Sequence, residues 1–318
     1  MTMQLGREAT LAVACACAVL VFASFAPVFG TAGNFTSVLR NSYELWLVAL
    51  GMTLLMAMGA IDVSVGVVMG LSALLIGKAL AGGLPLGAVL IIGPLAGACL
   101  GLVAGLVVVI GRIPAIVATL GLFGVFRTAI FLLLGGQWLS GLPDDLTRIL
   151  AWDGLYVPLG LIVIAAAYAA VWIALRATPY GVHLLAIGND EARARLMGLA
   201  VVRTRIATFV ISGALCGLAG LFYVAIYRNV TMTIGANIAL EAIAAVVLGG
   251  TAIFGGRCSL LGTLLGVLLL RILQNGLLLM GVPSLWQTVV TGGLLLAVLI
   301  SEVVAGRISV PMLQRRQA

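Results

Sequence analysis

Apolar residues in this chain do not alternate with polar ones; they run on. Ten stretches rich in Ala, Val, Leu, Ile, Gly and Phe fill most of the sequence, at 9–29, 43–60, 64–81, 85–110, 115–134, 156–175, 206–227, 239–254, 259–280 and 285–304. A helix crossing the hydrocarbon layer needs roughly 20 apolar residues and satisfies its own backbone polar groups. The pattern therefore predicts an all-α polytopic membrane protein of about ten transmembrane helices, forming one domain over residues 1–318. The stretches 43–60 and 239–254 are short and each ends in a Gly-containing break, so they are candidates for broken or re-entrant helices, and eight or nine full spans are also compatible. The first run is longer than the about 7–15 apolar residues of a signal-peptide core. It is read as an uncleaved span, with Ala23-Ser24-Phe25-Ala26 keeping a cleaved signal open.

Small residues recur at helical spacing. Gly93, Gly97, Gly101 and Gly105 put nearly bare backbone on one face, and Gly66/Gly70, Gly213/Gly217 and Gly262/Gly266 repeat the pattern. Such faces let helices approach closely in lipid, and they say nothing specific about function.

Composition removes the soluble alternatives. The chain is 63% hydrophobic and only 8% charged, against about 25% charged residues in a soluble domain. The net charge of +7 is scattered between apolar runs, which argues for loop charge rather than nucleic-acid binding. With ten spans and the N-terminus inside, Arg7, Arg112, Arg176, Arg193, Arg195, Arg203, Arg205, Arg257, Arg307, Arg315 and Arg316 fall inside. Arg40, Lys78, Arg148 and Arg228 fall outside. That asymmetry predicts both termini in the cytoplasm, a cytoplasmic loop at 176–205 and an outside loop at 135–155. The five cysteines form no C-x-x-C pair and His183 is alone, so no metal site is expected. No Walker A, H-E-x-x-H or G-x-S-x-G pattern occurs. The chain is not expected to be an enzyme or to hold a cofactor; if ATP drives its work, a separate subunit hydrolyses it.

Three polar groups stand out. In the loop 176–205, Asn189 can cap a short helix, with Asp190 and Glu191 in its first turn, Arg193 and Arg195 following, and Gly198 at its C′ position. A solvated helix without a partner and a docking helix both fit. Between two apolar runs, Gly59-Ala60-Ile61-Asp62-Val63-Ser64-Val65-Gly66 places a carboxylate and a hydroxyl where Asp62 can cap the next helix; a broken helix on a translocation path and a plain cap at a membrane-edge turn both fit. Late in the chain, Gln274 and Asn275 follow Arg271, and Trp286-Gln287 open the last run; these face a water path or bond between helices, and Trp286 also suits an interface anchor. Asp62, Ser64, Gln274, Asn275 and Trp286 are the candidate path residues. Arg127 and Arg271 lie inside spans and require pairing or carbonyl contacts, with substrate contact as the other reading. Asp62 and Glu241 read as the only plausible buried acids. A secondary transporter or channel for a small polar solute is the alternative class, and it would need ion ligands of that kind.

Four motifs carry a resemblance: Gly59 to Gly66; Ile113-Pro114-Ala115-Ile116-Val117-Ala118-Thr119-Leu120-Gly121 continuing to Arg127; Tyr180-Gly181 through Asn189 to Gly198; and Ala244 to Thr251 with Gly255-Gly256, Gly262-Thr263, Asn275-Gly276 and Trp286-Gln287. In this order they resemble the permease subunits of bacterial ABC importers for ribose, xylose, arabinose and autoinducer-2, a family related to branched-chain amino acid permeases. Ala60 stands where that family usually has Gly. The resemblance implies a type II importer-like fold with a broken second helix in the bacterial inner membrane. It also implies a second permease copy or paralogue, an ATPase on the cytoplasmic face, a periplasmic solute-binding protein and a sugar-like substrate. Asn189, Asp190, Glu191, Ala192, Arg193, Arg195, Leu196 and Met197 would form the helix that the ATPase grips.

Overall fold

The computed structural model describes residues 2–150 and 159–283, with scattered positions between 286 and 300. The chain forms α1 (Thr2–Phe25), a 3-10 turn (Pro27–Gly30), α2 (Ala32–Arg40), α3 (Tyr43–Ala57), α4 (Val65–Ala81), α5 (Leu86–Val109) and α6 (Ala115–Leu134). It continues with α7 (Asp145–Leu150), α8 (Leu159–Ala177), α9 (Pro179–Asn189), α10 (Glu191–Leu196), α11 (Val201–Tyr227), α12 (Ile238–Leu248) and α13 (Leu260–Leu279). Among the described residues there is no strand; one antiparallel bridge joins Leu139 to Val230. Six of these helices are long and apolar enough to cross a membrane, and α3, α4 and α12 are shorter apolar helices. Together they occupy the first nine expected runs. The tenth run falls largely outside the described residues, as do Gln287, Arg307, Arg315 and Arg316.

The centre of the bundle is α3. All fifteen of its residues are buried, as expected of a helix that is apolar on every side. It is surrounded by α11, α12, α13, α8 and α9. Polar side chains lock it in place: Trp46 Nε1 donates to the Leu264 carbonyl at 3.0 Å, Tyr168 Oη donates to the Trp46 carbonyl at 3.0 Å, and the Thr53 and Thr263 hydroxyls lie 2.8 Å apart. In hydrocarbon such bonds hold helices together where water gives no drive.

The glycine faces do what their spacing predicts. The stripe on α5 packs against α11, where a Cβ at Gly97 would collide with the Gly213 carbonyl and one at Gly101 with the Phe209 carbonyl. Gly217 is barred in the same way by Gly93. The two backbones therefore run in direct contact, and dispersion between them replaces side-chain packing. A separate small core joins α1 to α13 through Leu11, Cys15, Phe22, Leu269 and Ile272.

One segment departs from expectation. Residues 228–238 read as an outside loop, but the chain turns back beside α4. Val230 meets Gly77, Ile234 meets Gly70 and Gly235 meets Gly66. Val230 and Ile234 are buried. The segment thus follows α4 for about 16 Å at 1.5 Å per residue, and α12 begins deep in the bundle. That explains why α12 needs only 11 residues. Non-helical backbone at such depth is tolerated when protein buries it and satisfies its polar groups.

The loops sort into two ends. Leu139 and Leu142 bond to Val230 and Arg228, which joins the 135–150 and 228–230 segments at one end. The α5–α6 turn, α10 and the start of α11 line a common cavity at the other.

Candidate functional site

The α3–α4 break is where the four sequence motifs meet. Asp62 Oδ1 accepts from the Ser64 backbone N–H at 2.7 Å and from Ser64 Oγ at 2.6 Å. Both residues are buried. Asp62 therefore closes a turn one step before the helix; Ser64 holds the cap position of α4, and its own side chain makes no capping bond. Thr119, from the second motif, accepts from the Val63 N–H at 3.1 Å. From the third and fourth motifs, Gly188 and Gly256 come against Ala57, and the Gly256 N–H donates to the Ala57 carbonyl at 2.9 Å. Gly59 and Gly255 have φ of +80° and +93°, a region that side chains with a Cβ rarely adopt. A Cβ at Gly255 would stand 2.9 Å from the Gly59 nitrogen and 2.5 Å from the Gly188 carbonyl oxygen. Three chain reversals thus touch backbone to backbone at the end of α9.

Beyond α9 comes the short charged helix. The expected cap, Asn189, is instead the last residue of α9, because the Asp190 N–H still bonds to the Ala186 carbonyl. The chain turns extended at Asp190, whose carboxylate accepts from the Arg193 N–H at 3.0 Å. The cap is thus one residue later than the sequence suggests. Gly198 follows at φ +77°, as expected for C′. The charges pair within the chain: Asp190 with Arg193 at 2.9 Å, Glu191 with Arg195 at 3.0 Å, and Glu191 with Arg205 of α11 at 2.6 Å. Ala194 is buried against the body, while Leu196 and Met197 are 88% and 77% exposed and Ala192 faces out.

Toward the opposite end of α3 lies an ionic cluster. Arg271 contacts Glu44 and Glu241 at 3.3 Å each, and Gln274 at 2.8 Å. Gln274 in turn donates to Glu241 at 3.2 Å. Sequence reasoning singled out Arg271, Gln274 and Glu241 but missed Glu44, which is buried. The available signal was Arg271 itself, because an arginine within a span demands a counter-charge. Arg127 donates to the Ile234 carbonyl at 2.9 Å, satisfying the buried non-helical segment. Asn275 accepts from Asn34 at 3.0 Å, and Trp286 is exposed. Asp62 and Ser64 are thus together, Gln274 belongs to the Arg271 cluster, and Asn275 has a partner of its own. Among the described residues, no group of three or more His, Cys, Asp or Glu side chains is arranged to hold a metal.

A bundle of apolar helices with buried breaks, buried ion pairs and a charged helix at its surface defines a multi-pass membrane protein. The chain belongs to the family described as branched-chain amino acid transport system / permease component, whose profile matches residues 34–299. Among curated relatives it is similar to autoinducer 2 import system permease proteins LsrC. That of Klebsiella pneumoniae is 37% identical over 303 residues, covering 95% of this chain and 88% of the relative. That of Photorhabdus laumondii is 34% identical over 300 residues, covering 94% and 90%. That of Enterobacter is 37% identical over 283 residues, covering 89% and 82%. No solved structure matches the chain.

Proposed function

We propose that the chain is the membrane-spanning permease subunit of an ATP-driven importer in the bacterial inner membrane, moving a small sugar-like solute of the autoinducer-2 kind. The relatives of matching length are named as permeases of an autoinducer 2 import system, which favours this class over a self-contained secondary transporter. A separate ATPase binds α9–α10 from the cytoplasm, a periplasmic binding protein delivers solute, and a second permease copy or paralogue completes the pore.

The observation that carries this reading is α10. It is strapped to α11 through Glu191–Arg205 and yet presents Leu196 and Met197 to the surroundings. Two large apolar side chains on so short a charged helix suit burial by a partner. Force on α10 has a direct route inward. α9 carries Gly188 in its last turn, Gly188 abuts Ala57 and Gly256, and those residues flank the breaks between α3 and α4 and between α12 and α13. A shift of α9 therefore displaces the turn that holds Asp62 and Ser64, which we assign to the solute path. Packed backbones have no compressible side chains between them, so the displacement is transmitted rather than absorbed.

The test has two parts. Co-expression with candidate ATPase and binding-protein subunits should yield a stable complex, and the binding protein should select a sugar-like ligand in a screen. Single cysteines at 145 and 190, treated with an impermeant thiol reagent in spheroplasts, should label at 145 alone. Labelling at 190 contradicts the cytoplasmic placement.

A further inference from the structure

The end of the bundle that carries α10 also holds a half-open cavity of about 740 Å³, lined by the α5–α6 turn, α10 and the first turns of α11. Three guanidinium groups line it: Arg112 from the turn, Arg195 from α10 and Arg205 from α11. Glu191 is the one acid in its lining. Both Glu191 oxygens are already engaged, one with Arg195 at 3.0 Å and one with Arg205 at 2.6 Å. The lining therefore keeps an excess of two positive charges, three arginines less one glutamate. Arg205 Nε is buried and has no hydrogen-bond partner. Arg112 sits in the left-handed region at φ +54°, an unusual conformation for a side chain with a Cβ. The N-termini of α6 and α11, helices of 20 and 27 residues, open at the same place, and each adds partial positive charge. The remaining wall is apolar, and its Ile110, Ile113 and Val202 are exposed at the surface of the bundle.

A site lined by surplus guanidinium groups and by exposed apolar side chains matches a molecule that carries both an anionic and an apolar part. We propose that this cavity binds the phosphate of an anionic phospholipid, with its acyl chains lying over Ile110, Ile113 and Val202. Guanidinium groups bind phosphate oxygens through paired hydrogen bonds, and basic pockets between helices hold anionic head groups. A free phosphate would satisfy the arginines and leave the apolar wall uncovered, so the lipid is the source that the lining favours. The surplus charge selects a head group with net negative charge over a zwitterionic one. The lipid would link Arg112 to Arg195 and Arg205, and so join the α5–α6 turn to α10 and α11. The inference needs only the membrane setting and is independent of the transport reading.

The experiment uses the full-length permease purified in a neutral detergent. Native mass spectrometry follows titration with phosphatidylglycerol, with phosphatidylcholine, and with inorganic phosphate in place of lipid. One phosphatidylglycerol should be retained more tightly than phosphatidylcholine. Arg112→Gln should weaken that retention roughly fivefold, the factor expected from one basic contact. Arg195→Gln, at an exposed side chain, should do the same and covers the case in which the turn variant folds poorly. Arg176→Gln removes the same charge from a residue stacked on Trp172 outside the cavity and should leave retention unchanged. Equal retention by all three variants means non-specific annular lipid and overturns the site. Saturation by inorganic phosphate with exclusion of the lipid overturns the lipid assignment. Loss of the lipid from a co-purified permease–ATPase complex shows that protein occupies the cavity, and it also overturns the proposal.

Discussion

Glu191 of α10 lies 2.6 Å from Arg205 of α11, and this contact between residues fourteen positions apart fixes how the short helix sits on the body of the protein. The pair is partly exposed, so its contribution to stability is small, about 1 kcal/mol or less. Its role is positional. Glu191→Gln should leave folded yield and thermal stability nearly unchanged while lowering transport and ATPase stimulation. Exchanging the charges, with Glu191→Arg and Arg205→Glu together, should restore part of the coupling. Thermal unfolding in detergent and a vesicle uptake assay separate the two effects.

The ionic cluster should behave in the opposite way. Arg271 serves two carboxylates, Glu44 and Glu241. Arg271→Leu leaves both without their cation inside the bundle, and breaking a buried pair from one side costs about 3–5 kcal/mol. The variant should be recovered in low folded yield by size-exclusion chromatography. Adding Glu44→Gln should recover part of the loss, because one uncompensated charge is removed.

Arg127 supports a backbone. Its guanidinium bonds to the Ile234 carbonyl in the buried segment beside α4. A hydrogen bond to a charged group is worth about 1.5–3 kcal/mol, so Arg127→Leu should reduce folded yield and leave solute preference as it was. Uptake with a panel of sugars, normalised to folded protein, measures this. Normal yield with altered preference would place Arg127 on the solute path instead.

Two glycine-to-alanine changes give a direct contrast. A Cβ at Gly97 meets the Gly213 carbonyl, whereas one at Gly121 meets nothing within 4 Å. Alanine favours a helix over glycine by about 1 kcal/mol. Gly121→Ala should therefore be neutral or mildly stabilising, and Gly97→Ala should push α5 from α11 and destabilise the bundle. Melting temperatures of the two variants decide it.

The α5 stripe was legible because helix periodicity turns a four-residue spacing into a face. The α10 helix was legible because its charges interrupt apolar runs, although its cap moved from Asn189 to Asp190 once α9 proved continuous to that point. Glu44 was not legible: an acid at the first turn of an apolar run reads as a membrane-edge residue until Arg271 is known to lie beside it. Nor was the descent of 228–238 along α4, which depends on small residues of a distant helix, Gly66, Gly70 and Gly77, leaving room. Both failures have one cause. Burial of polar groups in a helical bundle is decided by partners far away in sequence, and a single chain read locally does not display them.

The central claim is that a separate ATPase grips α10 through the side chains it leaves exposed, and Leu196→Asp tests it most directly. Leu196 is 88% exposed, so aspartate there costs the isolated permease little, about 1 kcal/mol or less at a helix C-terminus, but in a closed interface it buries an unpaired charge. The measurement is uptake by membrane vesicles containing the variant and its ATPase, normalised to folded permease, together with co-purification of the two subunits. The account predicts normal membrane insertion, loss of co-purification and loss of ATP-driven uptake. Wild-type uptake with the ATPase still bound would contradict it.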